Sequence, residues 1–481
     1  MRNNYLNILE TEEVKMIYEA SLKILDQTGM YVDHEEAMEI LDGAGAKVDK
    51  NTKIVKYPRD LIESKLKLIP KSITYRGRTP EYDTTLSLDS DIYARIPGGE
   101  TNYIDLKTGE YRRARIADWR EFLKLVDAMP TVCSVSTFHC GDVPLKTADI
   151  HSLYALLTSQ RKCILHNAFT VENQKYIIEM ALLAAGGKEE IRKRSQVRLV
   201  LSPISPLYLN KDDTEQLLQA CKYGIPVDIP VMPTSGTTSP VTLAGTLALA
   251  NAEFLGTMTL AQSANPGHDM PFFIDPVVAN MRTGTPLFAA PETAILVAAI
   301  SQLSREIYRL PGEALGIISD GFTTEQAIFQ KTQNIIMEAM SGGKLIIGAG
   351  AIESTMALSP VQLVIDEEIM NVARRLIKGM TVNEDTLAVD VINRVGPRGH
   401  FMLDDHTLKH LKAGELIDTE LFERTRRDLW VDSGSKTIEQ KARDKAISIL
   451  EKHKIEPLDS DVARELKSIV DSADKNLANN F

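Results

Sequence analysis

Long apolar runs are missing from this chain. No stretch of about 18 consecutive apolar residues occurs, so no membrane-crossing helix is expected. The opening, "MRNNYLNILETEEVKMIYEA", lacks the apolar core of a secretory leader. Cysteine is scarce as well: 481 residues contain only Cys133, Cys140, Cys163 and Cys221. That excludes a disulfide framework and points to free thiols in a reducing cytoplasm. Basic charge is in deficit, with a formal net charge of −11 and a pI near 5.5. A phosphate-tracking surface, and with it a nucleic-acid partner, is excluded. No Gly-x-Gly-x-x-Gly follows an apolar run, which removes support for a dinucleotide fold, and no His-Glu-x-x-His is present.

What the chain does have is alternation. Residues 1–120 read as a mixed α/β extension. "EEVKMIYEASLKILDQTG", "HEEAMEILDGAG" and "RDLIESKLKLIP" carry helical spacing around the strand-like "KIVKYP". "SITYRGR", "DIYARIPGG" and "TNYIDLKTGEYRRA" read as short hairpins. Over 121–380, apolar runs alternate with amphipathic stretches. The predicted strands are "CSVSTF" at 133, "KCILHNAF" at 162, "VRLVLSP" at 197 and "PVDIPVMPT" at 226. They continue with "MPFFIDP" at 270, "ALGIISD" at 314, "KLIIGAG" at 344 and "ALSPVQLVID" at 357. Strands this apolar must be covered on both faces, the mark of a parallel sheet. Eight such repeats over roughly 250 residues predict a (β/α)8 TIM barrel. Residues 381–481 turn helical and charged, and are expected to pack on the barrel or against another subunit.

In such a barrel the chemistry sits at the carboxyl ends of the strands. Those ends carry His139 and Asp142, His166 and Asn167, Pro203 and Ser205, Thr234 and Ser235, Asp275, Asp320 with Phe322, and Gly348 with Gly350. No lysine falls among them, which argues against Schiff-base chemistry. His139, His166, Asp142 and Cys140 leave open a metal-assisted lyase or hydrolase, although their spacing is not that of a compact metal motif. His166 reads equally as a hydrogen-bonded wall residue. "PTSGTTSP" at 233–240 suits an anion at a helix N-terminus, or is simply a capped connection. Asp275 is either a charged group in the site or a helix-start residue before a proline. In "SDGFTTEQAIFQK", at 319–331, the turn holds out Phe322, a ring with no acid–base chemistry.

Several separated stretches resemble the trimethylamine methyltransferase family of corrinoid-dependent methyltransferases. They are "GGETNYIDLKTGEYRRARIADWREFLKLVDAMP" (98–130), "SPVTLAGTLALANAEFLGTMTLAQSANPG" (239–267), "TGTPLFAAPETA" (283–294) and "VNEDTLAVDVINRVGPRGHFMLDDHT" (382–407). The resemblance implies a (β/α)8 barrel that moves a methyl group from a methylated amine to the Co(I) corrinoid of a partner protein. The trimethylamine enzymes carry pyrrolysine in a barrel loop, and this sequence has Phe322 at or beside that position. Members without pyrrolysine resemble quaternary-amine demethylases, with glycine betaine the reference substrate and proline betaine, carnitine and γ-butyrobetaine as alternatives. A non-catalytic betaine-binding protein is a further alternative.

A quaternary ammonium is already activated, because its leaving group is a neutral tertiary amine. The protein's work is then positioning and exclusion of water. Under this reading Asp320, Phe322 and His166 are the expected catalytic residues. Phe322, Tyr208 and Phe273 are expected to offer aromatic faces to the cation, with Asp275 balancing its charge. Thr234, Ser235 and Gly236, or Gly348 and Gly350, are expected to hold the carboxylate. His139, His400 and His406 are expected to face the corrinoid or its carrier. The expected partners are the corrinoid protein and further copies of this chain, and no resident metal is expected.

Overall fold

The computed structural model describes residues 5–322 and 324–478. Eight parallel strands form one sheet curled on itself: β1 (Tyr93–Ile96), β2 (Val132–Ser136), β3 (Cys163–His166), β4 (Val197–Val200), β5 (Val227–Asp228), β6 (Phe272–Phe273), β7 (Gly312–Ala314) and β8 (Leu345–Ile347). β8 pairs with β1 through Ile346 and Ala94, and β1 with β2 through Ala94 and Val132. The ladder is open between β5 and β6. That seam is bridged by single hydrogen bonds, Val227 N–H to the Asp269 carbonyl and Asp275 N–H to the Val231 carbonyl. Eight helices return along the outside: α1 (Ile116–Ala128), α2 (Ala148–Ser159), α3 (Val171–Ala185), α4 (Lys211–Tyr223), α5 (Leu243–Ala264), α6 (Pro291–Leu303), α7 (Thr324–Ser341) and α8 (Pro360–Lys378).

Local chemistry sets several of these boundaries. Thr170, Asn210 and Ser359 cap α3, α4 and α8 by accepting a hydrogen bond from the third helical amide. Gly186 and Gly224 end α3 and α4 in the left-handed region. Two expectations are corrected here. "DIYARIPGG", read as hairpin, is the first barrel strand, and "ALSPVQLVID" is a two-residue strand followed by α8 rather than a barrel strand. The misreading has a physical source: β1 has a mixed Tyr-Ala-Arg-Ile composition, because Arg95 points into a polar interior. The apolar run at 357–366 is instead the buried face of a helix.

The extension closes the far end of the barrel. Ile73–Tyr75 and Thr84–Leu86 pair antiparallel, and Ile73, Tyr75 and Leu86 cluster with Cys133, Cys163, Leu165 and Leu345. The helices Thr11–Gln27, Glu35–Ala44 and Arg59–Leu66 lie against α5, which explains why α5 is buried all round. Gly256 permits that approach, since a Cβ there would come within 2.2 Å of Met30 Sδ. After α8, the chain runs through short helices to Ile438–Lys452, which packs against α8 and α1, and Ser460–Ala473, which packs on α2 and α3.

Candidate active site

β1 ends in Pro97-Gly98-Gly99-Glu100. At Gly98 a Cβ would stand 2.9 Å from that of Ser136, so glycine lets the β1 and β2 ends close up. The next residue past the turn, Glu100, accepts the His139 N–H on its carbonyl at 3.0 Å. Its carboxyl group is fully buried, and neither oxygen has a hydrogen-bond partner. Burial pushes its pKa up to about 8. Beside it, Thr137 Oγ1 and His166 Nδ1 share a hydrogen bond of 2.6 Å, while His166 Nε2 is buried without a partner. Burial, and then the neighbouring His139, push His166 down to about 3, so its imidazole is neutral. The His139 ring lies 5.0 Å from that of Phe169.

Deeper in the barrel the lining is charged. Arg95 Nε donates to Ser136 Oγ, and its Nη1 stands 3.5 Å from both Asp228 and Glu313. Arg198 Nε donates to Asp228 at 2.7 Å. Asp275, at the end of β6, is 4% exposed and leaves Oδ1 unpartnered. Burial raises Asp275, Glu313 and Glu338 well above the carboxylate range, and Arg95 pulls back on Asp275. Four buried carboxyl groups, Asp228, Asp275, Glu313 and Glu338, thus share an interior with two guanidinium groups, Arg95 and Arg198, while Glu100 is buried separately past the end of β1. An interior so short of cations favours a cationic ligand.

Of the residues expected from sequence, His139, His166 and Asp275 lie in this region. Others are occupied elsewhere. Asp320 accepts from the amides of Phe288 and Ala289 and from Ser354 Oγ, which makes it a staple between mouth loops. Tyr208 joins an outer sheet with Met30–Val32, its ring edge-on to Tyr31 at 5.4 Å. Phe273 is buried, packed with Phe288, Leu315, Ile318 and Ile347, and faces Arg95 at 5.1 Å. At 234–240 the donors are used internally. The N–H of Gly236 bonds to Ser239, those of Thr237 and Thr238 to Thr234, and the Ser235 hydroxyl to Val241. Gly348 N–H bonds to the Arg95 carbonyl, and Gly350 N–H to Asp366, which is itself paired with Lys331. His400 is exposed, and His406 bonds within its own segment to the Asp385 carbonyl. Asp142 caps α1 through the Ile116 N–H, Cys140 is buried, and Ser205 donates to Glu253. His139, His166, Asp142 and Cys140 form no metal-ligating group among the described residues.

Sequence reading missed Glu100, Arg95, Glu313 and Phe169. The first two sat in a segment not recognised as a barrel strand. Phe322 is 71% exposed. It belongs to an apolar rim with Leu145, Phe169, Met232, Met281 and Met356, one from each connection that follows β2, β3, β5, β6, β7 and β8.

The sequence pattern of "Trimethylamine methyltransferase (MTTB)" matches residues 1–478. This chain belongs to the trimethylamine methyltransferase family. The "Trimethylamine methyltransferase MttB" of Desulfitobacterium hafniense DCB-2 is 31% identical over 96% of this chain and 93% of that protein. The "Glycine betaine methyltransferase" of strain Y51 of the same species is 30% identical over 96% of each. In structure the family member is similar to the monomethylamine methyltransferase MtmB of Methanosarcina barkeri. That match has a TM-score of 0.51 and 11% identity, and covers 92% of this chain and 93% of the other. The likeness extends to the fold. Family membership makes the chain a methyltransferase.

Proposed function

We propose that the protein takes a methyl group from a quaternary amine, glycine betaine, and passes it to the Co(I) corrinoid of a partner protein, leaving dimethylglycine. The observation that carries this is the excess of buried carboxyl groups, Glu100 above all, at the end of a barrel whose relatives act on methylated amines. A trimethylammonium group placed there supplies the missing positive charge. Glu100 and Asp275 stabilise the cation electrostatically, and the rings of Phe169 and Phe322 offer faces at the rim. His166 Nε2, buried and unpartnered, is the donor we assign to the substrate carboxylate, since the amides at 234–236 and 348–350 are committed elsewhere. A neutral His166 cannot serve as a strong acid, and none is required: the C–N bond breaks toward a neutral tertiary amine, with reduced cobalt supplying the electron pair. The apolar rim fits the docking of the corrinoid carrier over the mouth. The buried free thiols suit a cytoplasmic setting.

Mixing the protein with reduced corrinoid carrier and glycine betaine, and following loss of the Co(I) band with formation of methyl-Co(III), tests this. Turnover with glycine betaine is expected. Turnover restricted to proline betaine, carnitine or γ-butyrobetaine reassigns the substrate, and no turnover with any quaternary amine overturns the reading.

We also infer self-association. Leu376, Met380, Leu387, Ile392, Leu403 and Leu411 are exposed along a segment whose residues 374–418 include none that is buried. The surface of 21691 Å² exceeds by about a fifth the roughly 17,800 Å² expected for a monomer of this mass. The excess leaves more than the per-chain share of a single obligate interface to be covered.

A further inference from the structure

The helix Asp405–Lys412 sets His406 and His410 one turn apart on a single face, with ring centres 4.2 Å from each other. A third group comes from the short helix Glu384–Leu387: Asp385 Oδ2 stands 3.3 Å from His410 Nε2, and the Asp385 carbonyl oxygen is 2.9 Å from His406 Nε2. One ligand atom from each of the three residues lies within 4.8 Å of the others. His410 Nε2 is buried and makes no hydrogen bond despite that approach. The surrounding helices, Glu384–Leu387, Val389–Val395 and Asp405–Lys412, contain no buried residue. Chain pieces too small to enclose a core are commonly held by a metal.

We propose that Asp385, His406 and His410 bind one Zn2+ and thereby fasten the two ends of this segment together. Two imidazoles on adjacent turns and one carboxylate are a donor set suited to zinc, and three protein ligands leave a fourth tetrahedral position for water. Lys409, which bonds both Asp385 oxygens at 2.7 Å, competes with the ion for that carboxylate. This site lies outside the barrel and is independent of the methyl-transfer reading.

Isothermal titration of chelator-stripped full-length protein with ZnCl2 at pH 7.5 is expected to show one saturable equivalent. His410→Ala is expected to weaken binding by more than about 100-fold, while Lys409→Met strengthens it about fivefold by removing a like charge. Zinc should also slow tryptic cleavage at Arg394 and Arg398. All these residues are at the surface of the segment, and circular dichroism of each variant verifies its fold. No saturable equivalent in the wild type, undiminished binding in both His406→Ala and His410→Ala, or weaker binding in Lys409→Met overturns the proposal.

Discussion

Glu100 holds its proton because nothing near it compensates a buried charge. Its ordinary pKa of 4.5 is raised to about 8. The unfolded chain releases the proton from about pH 4.5 upward, while the folded protein keeps it until about 8. Stability therefore falls with rising pH across that window. Glu100→Gln removes the penalty, and its melting temperature should exceed that of the wild type by on the order of 2 °C at pH 8 and by less at pH 5. Binding of the cation runs the other way, because it favours the ionised form. KM for the quaternary amine should fall as pH rises from 6 to 8, and lose that dependence in Glu100→Gln. A flat profile in the wild type would remove Glu100 from the site. Phe322, being exposed, contributes little packing. Phe322→Ala should leave the melting temperature unchanged and raise KM for the amine about fivefold, as expected for one cation–π contact. A rise in KM for the corrinoid carrier alone would assign the ring to docking. His166→Ala should raise amine KM about 10- to 100-fold, the value of a hydrogen bond to a charged group.

At the scale of elements, α7 and α8 are locked by a buried ion pair, Lys331 to Asp366 at 2.6 Å, with neither group exposed. Asp366 also receives the Gly350 amide and the Gln362 side chain, so this pair fixes the loop after β8 as well as the helices. Lys331→Met leaves the carboxylate buried without its partner and should destabilise the protein by about 3–5 kcal/mol, measured by denaturant unfolding. The loop geometry at 348–350 was legible only as two glycines in "KLIIGAG". The structure shows why they are there: Gly348 has φ +124 and Gly350 φ +79, and a Cβ at Gly348 would meet the Ile317 carbonyl carbon at 2.6 Å. Their role is to close the barrel, which a sequence motif suggestive of anion binding does not reveal. Asp320 shows the same limit. A strand-end carboxylate looks catalytic in sequence, but its two oxygens are taken by the amides of a loop more than thirty positions away.

For the whole molecule, self-association makes a direct prediction. Sedimentation should show a species heavier than the 53.4 kDa chain, and Leu403→Glu with Leu411→Glu should shift it toward that mass while the barrel stays folded. A monomer in the wild type would overturn the inference. Six of the eight predicted barrel strands were determined by the sequence itself, and the run at 314–320 meets its strand, Gly312–Ala314, only at Ala314. Burial on both faces leaves a continuous apolar run that no solvent-facing strand needs. The first strand escaped because it carries the interior's arginine, and the final apolar run was misread because a buried helix face and a buried strand look alike over a few residues. The family, too, was written in the sequence. Only the tertiary structure decided the composition of the site. Glu313 stands on β7 and Asp275 two residues past β6, and their shared shortage of positive charge exists only when the barrel brings those strands around one interior, away from water.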